Sequence, residues 1–340
     1  MRLLLILSLL STTALAGDAR EDWTQVLALD GGPKEEPKTA EEALQISLAH
    51  LERQEKVLRA FFSTHADAAQ SVEARLRLAR LLNMRADLKG APAPEESASL
   101  LTEADKSATT AAQRAEVDFA QLAQRMRAWR GKRPPINERR ALFEAMRKFE
   151  TAHPDDRRLA AVKVEVAALF ESEPHTMVPL LKEANKLAKD PALKARIADD
   201  LKRLSFYEKT LPLKFTAIDG TRYDVKESRG KVVALLFFAT WSMPAKTAFM
   251  ELQRITAGSD VALVVVGLDK ERAILEAFLK EAKSTAQVAW DGKSWESPLI
   301  QALGVNAVPS IWLLDREGVV RTLDALDEPA VQIERLIGVK

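Results

Sequence analysis

The sequence predicts an α + α/β protein, in which a helical-repeat domain of stacked hairpins precedes an α/β domain with a mixed sheet. Two observations lead to this prediction. From residue 39 to about residue 207, apolar residues recur at helical spacing. From residue 211 onward, short apolar runs of strand length alternate with helical segments, which is typical of a sheet covered by helices. The chain of 340 residues is long enough for two such domains.

The composition excludes several classes of function. Lys and Arg number 50 and Asp and Glu number 49, so no overall charge draws the chain to nucleic acid or to a membrane surface. The densest basic run, residues 125–133, favours a solvated helix end over a nucleic-acid patch. The sequence contains no cysteine, which excludes disulfides, thiolate nucleophiles and thiolate metal ligands. We find no phosphate loop, dinucleotide glycine pattern or metal-ligand cluster, and expect no cofactor and no metal.

The N-terminus has the order of a secretory signal peptide. Arg2 precedes an apolar core, Leu3–Leu10, and the small-residue motif Ala14–Ala16 follows. We therefore expect residues 1–16 to be removed by cleavage after Ala16, and the mature chain to be periplasmic or secreted. The alternative is a retained interfacial anchor. The apolar run is too short to cross a bilayer and no later run approaches about 20 apolar residues, so no membrane span is expected after cleavage.

The helical region is predicted to begin at a defined cap. Residues 17–38 are rich in turn formers and charges, and we expect them to form a flexible lead-in. Thr39 and Glu42 have the spacing of a capping box, which predicts a helix start at that point. The helical-repeat domain is expected to extend from there to residue 207.

Two aligned pairs of segments predict a possible duplication of the helical region, as 39–130 and 137–207. The pairs are 61–82 with 149–170 and 100–108 with 180–188. Each copy would consist of two helical hairpins, which bury their apolar faces against neighbouring hairpins. The F-x3-H-x-D element is similar to that of tetratricopeptide-like repeats, and chance similarity between helices of like composition is the alternative. The alignment pairs His65 with His153 at helix corners, where capping and turn roles compete with metal binding.

The α/β region predicts its elements one after another. Two short alternating segments around Asp219-Gly220 indicate a hairpin. The runs "KVVALLFFA" and "VALVVVGLD" have the length and continuity of buried strands. A second strand pair is predicted on either side of Glu317-Gly318. The predicted helices are "PAKTAFMELQRITAG", "KERAILEAFLKEAK" and "EPAVQIERLIG".

Five stretches of this region together resemble the TlpA/ResA-like thiol–disulfide oxidoreductases, a redoxin family of exported relatives of thioredoxin. They are "LPLKFTAIDGTRYDV", "RGKVVALLFFATW", "WSMPAK", "DGKSWESPLIQALGV" and "NAVPSIWLLDREGVV". The resemblance covers residues 211–340 and does not include the helical region. It implies a thioredoxin-like domain with a mixed sheet and a cis peptide bond between Val308 and Pro309.

The resemblance places Ser242 and Ala245 at the positions of the two redox cysteines of that family. A cysteine at such a helix N-terminus owes its reactivity to a thiolate stabilised by the helix dipole. Exchange then requires attack of sulfur on sulfur. A serine hydroxyl does not ionise and alanine has no reactive atom, so dithiol redox chemistry is excluded for this chain alone. Oxidoreductase activity would follow from the family name only.

Ser242 has a second possible role, as the nucleophile of an enzyme that uses no redox chemistry. Such a nucleophile needs a general base. All four histidines lie in the helical region, and Lys246 lies one helical turn away. An N-cap serine is the simpler interpretation, and we favour it.

The resemblance also implies a groove for an extended peptide. Its expected walls are Trp241, Ser242, Met243 and Pro244 on one side and Val308 and Pro309 on the other. A partner segment pairing with the main chain there would be a form of β-augmentation. We therefore expect a protein-binding or scaffolding module with a protein or extended peptide as partner. The alternatives are an inherited groove without an occupant and an enzyme.

Overall fold

The computed structural model describes residues 18–129, 132 and 134–338, and the predicted cleavage site after Ala16 lies outside them. The described residues form helices up to Leu204 and add strands only from Lys214, which confirms the predicted α + α/β class. The helices are α1 (Ala19–Ala28), α2 (Ala40–Thr64), α3 (Ser71–Leu88), α4 (Glu95–Ser107), α5 (Ala111–Arg127), α6 (Ile136–Ala152), α7 (Leu159–Ala168), α8 (Pro174–Leu187), α9 (Pro191–Leu204), α10 (Met243–Thr256), α11 (Arg272–Glu281), α12 (Pro298–Leu303) and α13 (Pro329–Gly338). The strands are β1 (Lys214–Thr216), β2 (Arg222–Asp224), β3 (Val232–Phe238), β4 (Val261–Gly267), β5 (Gln287–Ala289), β6 (Ser310–Leu314) and β7 (Val320–Thr322).

The chain divides into two compact units. The first contains the described residues up to 132 together with Arg147–Pro154, and the second contains Pro134–Met146 and the chain from Asp155 onward. The second unit therefore combines α7, α8 and α9 with the whole α/β region. The predicted boundary at residues 207–211 separates helices from strands, but it does not separate the compact units. Among the residues that the structure describes, no helix has both the length and the apolar character needed to cross a membrane.

Residues 17–38 contain a helix, so the expectation of a flexible lead-in was wrong. Asp18 caps α1, and its carboxylate accepts a hydrogen bond from an N–H of the first turn at 3.0 Å. Trp23 and Val26 lie three residues apart on one face and are buried in the core of the first unit. The ring of Trp23 packs on that of Phe61 at a centroid distance of 5.2 Å. This burial supplies the free energy that a short helix lacks in isolation.

Helix α2 begins at the predicted cap. The hydroxyl of Thr39 accepts a hydrogen bond from the N–H of Glu42 at 3.1 Å. The carboxylate of Glu42 accepts in turn from the N–H of Lys38, at 2.8 Å. The two predicted breaks, "KGAPAPEES" and "ESEPHT", fall between α3 and α4 and between α7 and α8.

The two histidines aligned in sequence make matching contacts. His65 Nε2 lies 2.8 Å from the carboxylate of Asp22 in α1. His153 Nε2 lies 2.7 Å from the carboxylate of Asp118 in α5. Each histidine therefore holds the corner after one helix to the helix that precedes it in the chain.

A second pair of contacts also matches between the aligned segments. In the first unit Arg75 of α3 forms an ion pair with Glu103 of α4. In the second unit Lys163 of α7, which is fully buried, forms one with Glu183 of α8 at 2.6 Å. On these contacts we propose that the duplicated segment comprises four helices, α1–α4 and α5–α8, one helix more than the sequence alignment included.

The α/β region is built on a five-stranded mixed sheet of order β5-β4-β3-β6-β7. β3 runs parallel to β4 and antiparallel to β6, and all seven residues of β3 are buried. The hairpin around Asp219-Gly220 is confirmed as β1 and β2, which form a separate two-stranded sheet. β5 and α12 were not predicted, because segments of 3 and 6 residues carry weak local signals.

The two faces of this sheet pack against different elements. One face carries Leu236 and Phe238 of β3 and packs against apolar side chains of α10, α11 and α13. The opposite face carries Phe237 and Trp312, whose rings lie 5.1 Å apart. Phe206, just after α9, packs on the fully buried Trp312 at 6.0 Å. The helical region thus contributes directly to the core of the second unit.

Candidate functional site

The turn between β3 and α10 carries the two positions at which the resemblance expects cysteine. β3 ends at Phe238 and α10 begins at Met243. Ser242 is the N-cap of α10, and its hydroxyl oxygen accepts a hydrogen bond from the N–H of Ala245 at 3.3 Å. This satisfies one of the N–H groups that have no partner in the first helical turn. The N-cap interpretation of Ser242 is therefore confirmed.

Ala245 belongs to the hydrophobic core. It is fully buried in the cluster that also contains Phe238 and Phe249. A methyl group at this point fills space beneath the turn and has neither a nucleophilic nor an ionisable atom. Because the chain contains no sulfur at either position, the turn keeps its shape without the chemistry of thiol–disulfide exchange.

A buried carboxylate fixes this turn from the neighbouring strand. Asp269 follows β4, is 4% exposed and accepts a hydrogen bond from the backbone N–H of Thr240 at 3.1 Å. The hydroxyl of Thr240 donates a second, short hydrogen bond to the same carboxylate. The indole of Trp290 donates to the carbonyl oxygen of Asp269 at 2.6 Å. Sequence analysis overlooked this link, although an Asp directly after a buried strand was its signal.

The hydroxyl of Ser242 has no base beside it among the described residues. Its hydrogen bond is to the N–H of Ala245, in which it acts as acceptor. Each histidine contacts another group: His50 the carbonyl of Leu29, His65 Asp22, His153 Asp118, and His175 the ring of Tyr207. A nucleophilic serine needs a base within hydrogen-bond reach, so this geometry favours the cap over the nucleophile.

The loop before β6 forms the other side of the candidate site. The Val308–Pro309 bond is cis, which confirms the expectation from the resemblance. β3 and β6 are antiparallel, with Phe237 opposite Ser310, so the end of β3 and the start of β6 lie at the same edge of the sheet. Within the described part of the chain, neither the N–H nor the C=O of Val308 has a hydrogen-bond partner. An open main-chain donor and acceptor therefore lie at the edge that carries the turn.

Large apolar side chains are exposed around the turn. Trp241 is 60% exposed, Met243 69% and Met250 50%. Met243 and Met250 are seven residues apart in α10 and therefore lie on one face of the helix. Single exposed apolar residues are common, whereas a group at one site marks a binding surface. We call Trp241, Met243 and Met250 the apolar patch.

The first unit has a concave apolar surface of its own. A cavity of about 560 Å³ adjoins one of about 530 Å³, and both are lined by Leu51 and Met84. The rim carries charges of both signs, and Arg77 there is already bonded to Asp30 and Glu73. This surface offers an apolar floor but no charge of one sign to select a ligand. The candidate site therefore remains at the N-terminus of α10.

The fold and the site together define a thioredoxin-like domain in which serine and alanine occupy the redox positions, joined to a helical region. No family model matches the chain, and no curated protein matches it. Solved structures of the thiol–disulfide oxidoreductase type do match its C-terminal part.

Three of these structures illustrate the range. A thiol-disulfide oxidoreductase from Bacteroides fragilis is 20% identical, with a TM-score of 0.35 over 38% of this chain and 99% of its own. A thioredoxin-family thiol:disulfide interchange protein from Chlorobium tepidum is 17% identical, with a TM-score of 0.33 over 38% of this chain and 96% of its own. A secreted thiol-disulfide isomerase from Corynebacterium glutamicum is 16% identical, with a TM-score of 0.32 over 38% of this chain and 82% of its own.

Proposed function

We propose that this chain is an exported, redox-inactive thioredoxin-fold protein that binds an extended segment of a partner protein. One observation carries the proposal. The unpaired main chain of Val308 and the exposed side chains of Trp241 and Met243 lie at the same edge of the sheet. Main-chain hydrogen bonds and an apolar wall are what β-augmentation requires.

The apolar patch is large enough to anchor a peptide. A tryptophan buries about 150–250 Å² when it is fully covered, so the exposed part of Trp241 offers roughly 100–150 Å². At about 25 cal/mol per Å² this contributes on the order of 3 kcal/mol before the cost of ordering the peptide. Met243 and Met250 are unbranched, and such side chains adapt to irregular partner surfaces. Binding in the micromolar range is the expected result.

The test is selection of peptides from a randomised library on the mature protein, followed by titration of a selected peptide. Trp241→Ala is expected to weaken binding about 30-fold, because a central aromatic anchor contributes about 2 kcal/mol or more. Ile274→Ala is the matched control, since Ile274 is 48% exposed on α11 of the same unit and lies outside the apolar patch. That variant should bind like the wild type.

The peptide backbone provides a second, independent readout. Methylation of single peptide nitrogens should abolish binding at the position that faces Val308 and have little effect at positions whose N–H points to solvent. Uniform tolerance of methylation would contradict pairing with the main chain. Failure to select any peptide that depends on Trp241 would overturn the proposed function itself.

Export and redox inactivity are tested separately. We expect the exported protein to begin at Gly17, and intact-mass measurement decides this, since a mass that includes Met1 contradicts it. A cysteine-free preparation should show no turnover in insulin reduction or thiol exchange, because neither Ser242 nor Ala245 can form a mixed disulfide. Measured turnover would favour the oxidoreductase alternative.

A further inference from the structure

The last helix of the helical region packs directly on the loop that precedes Val308. Gly304 ends α12 in the left-handed conformation, with φ of +68°. A Cβ atom at this position would lie 2.5 Å from the carbonyl oxygen of Asp199 and 3.0 Å from the backbone nitrogen of Arg203, both in α9. The close approach requires glycine, because any side chain would push the loop away from the helix.

A buried carboxylate of α9 holds the same loop. The side-chain amide of Asn306, two residues before Val308, donates a hydrogen bond to Asp200 Oδ1 at 3.1 Å. Asp200 is 5% exposed, and Arg203 donates to the same oxygen at 3.0 Å. Arg203 in turn lies 2.7 Å from Glu171. The loop is therefore bonded to a group whose own position is fixed inside the helical packing.

The segment that follows α9 is fastened to the sheet as well. Glu208 donates its N–H to the carbonyl of Val320 at 2.9 Å, and Val320 donates back to the carbonyl of Lys209 at 3.0 Å. Phe206 packs on the buried Trp312 of β6. Helix α9 is thus tied to the sheet through β7 and β6 and to the loop through Asp200.

We infer that α9 is part of the binding site, and that Asp200 is a positioning residue that sets the Val308 wall through Asn306. This inference rests on the proposed function and adds regulation to it. A displacement of α9 would change peptide affinity without touching the peptide. The helical region is then more than an attached module, because its last helix controls the groove.

A reversed hydrogen bond tests the inference. Asn306→Asp places two carboxylates in contact and should weaken binding of a library-selected heptapeptide about tenfold. Asp200→Asn combined with Asn306→Asp exchanges donor and acceptor, and should bring the affinity back to within about threefold of the wild type. Gln301→Ala is the control, because this exposed side chain is on the same segment and only its backbone carbonyl is bonded, to Lys202. It should change nothing.

A measurement without peptide separates the two proposals. In Asn306→Asp the amide order parameter of Val308 should fall from about 0.85 to below about 0.6, and the double variant should restore it. If the order parameter falls and recovers while no peptide ever binds the wild type, the proposed function fails and the positioning contact stands. If the order parameter and the affinity both stay at wild-type values in Asn306→Asp, the positioning role of Asp200 is refuted.

Discussion

Replacing Ser242 and Ala245 by cysteine shows whether the turn keeps the electrostatic environment of a redox site. Ser242 caps α10 and is 9% exposed, so a sulfur in its place would face the N–H groups of the first turn. A negative charge there gains about 1–2 kcal/mol when partly buried. At about 1.4 kcal/mol per pKa unit this lowers the thiol pKa by about 0.7–1.5 units from about 8.5. Burial opposes the shift, and we therefore expect a pKa of about 7.5–8.

The assay is a pH titration of the thiolate absorbance, combined with a redox titration of the double variant. Thr247→Cys is the matched control, because this exposed position lies in the same helix beyond its first turn, and its thiol should titrate near about 8.5. Loss of the serine cap costs about 1 kcal/mol and the larger atom at the buried Ala245 about 1–3 kcal/mol, so unfolding must be measured in parallel. A thiol pKa at or above the control, with no intramolecular disulfide at any potential, would refute a preserved site and weaken the groove hypothesis.

Three further predictions concern the stability of the fold. Trp23→Ala should lower the free energy of unfolding of the first unit by about 3 kcal/mol in urea, whereas Leu27→Ala, at a 42% exposed position of α1, should change it by less than about 0.5; equal effects would contradict the docking of α1. Thr240→Val should cost about 1–2 kcal/mol because it removes a buried donor to Asp269, and an unchanged urea midpoint would show that the backbone bond suffices. Burial raises the pKa of Tyr223, so the unfolded chain loses this proton first and the contribution of Tyr223 to stability declines as pH rises above about 10; Tyr223→Phe should flatten that decline, and parallel pH profiles would exclude it.

Much of the candidate site follows from local sequence. The apolar run of β3, the serine cap of α10 and the cis peptide before Pro309 were all predicted and are confirmed. The tie between Thr240 and Asp269 was missed. The two residues are 29 positions apart, and their contact exists only because β3 and β4 lie side by side in the sheet.

The helical region shows the same division. Pattern alone placed the start of α2 and the breaks between the hairpins, since caps and turn formers act over a few residues. It missed α1, whose stability comes from Trp23 packing on Phe61 in another helix. Short elements owe their existence to such contacts more than to their own propensity.

By itself the sequence determined what this protein is unable to do. A chain without cysteine cannot perform dithiol chemistry in any fold, because no packing arrangement supplies a missing sulfur atom. Only the tertiary structure decided what surrounds the turn. Asn306 and Asp200 are 106 positions apart, and no local pattern links them. They meet because Phe206 buries its ring on Trp312 and because Gly304 lets the backbone of α9 approach the loop, and such contacts depend on the packing of the whole second unit.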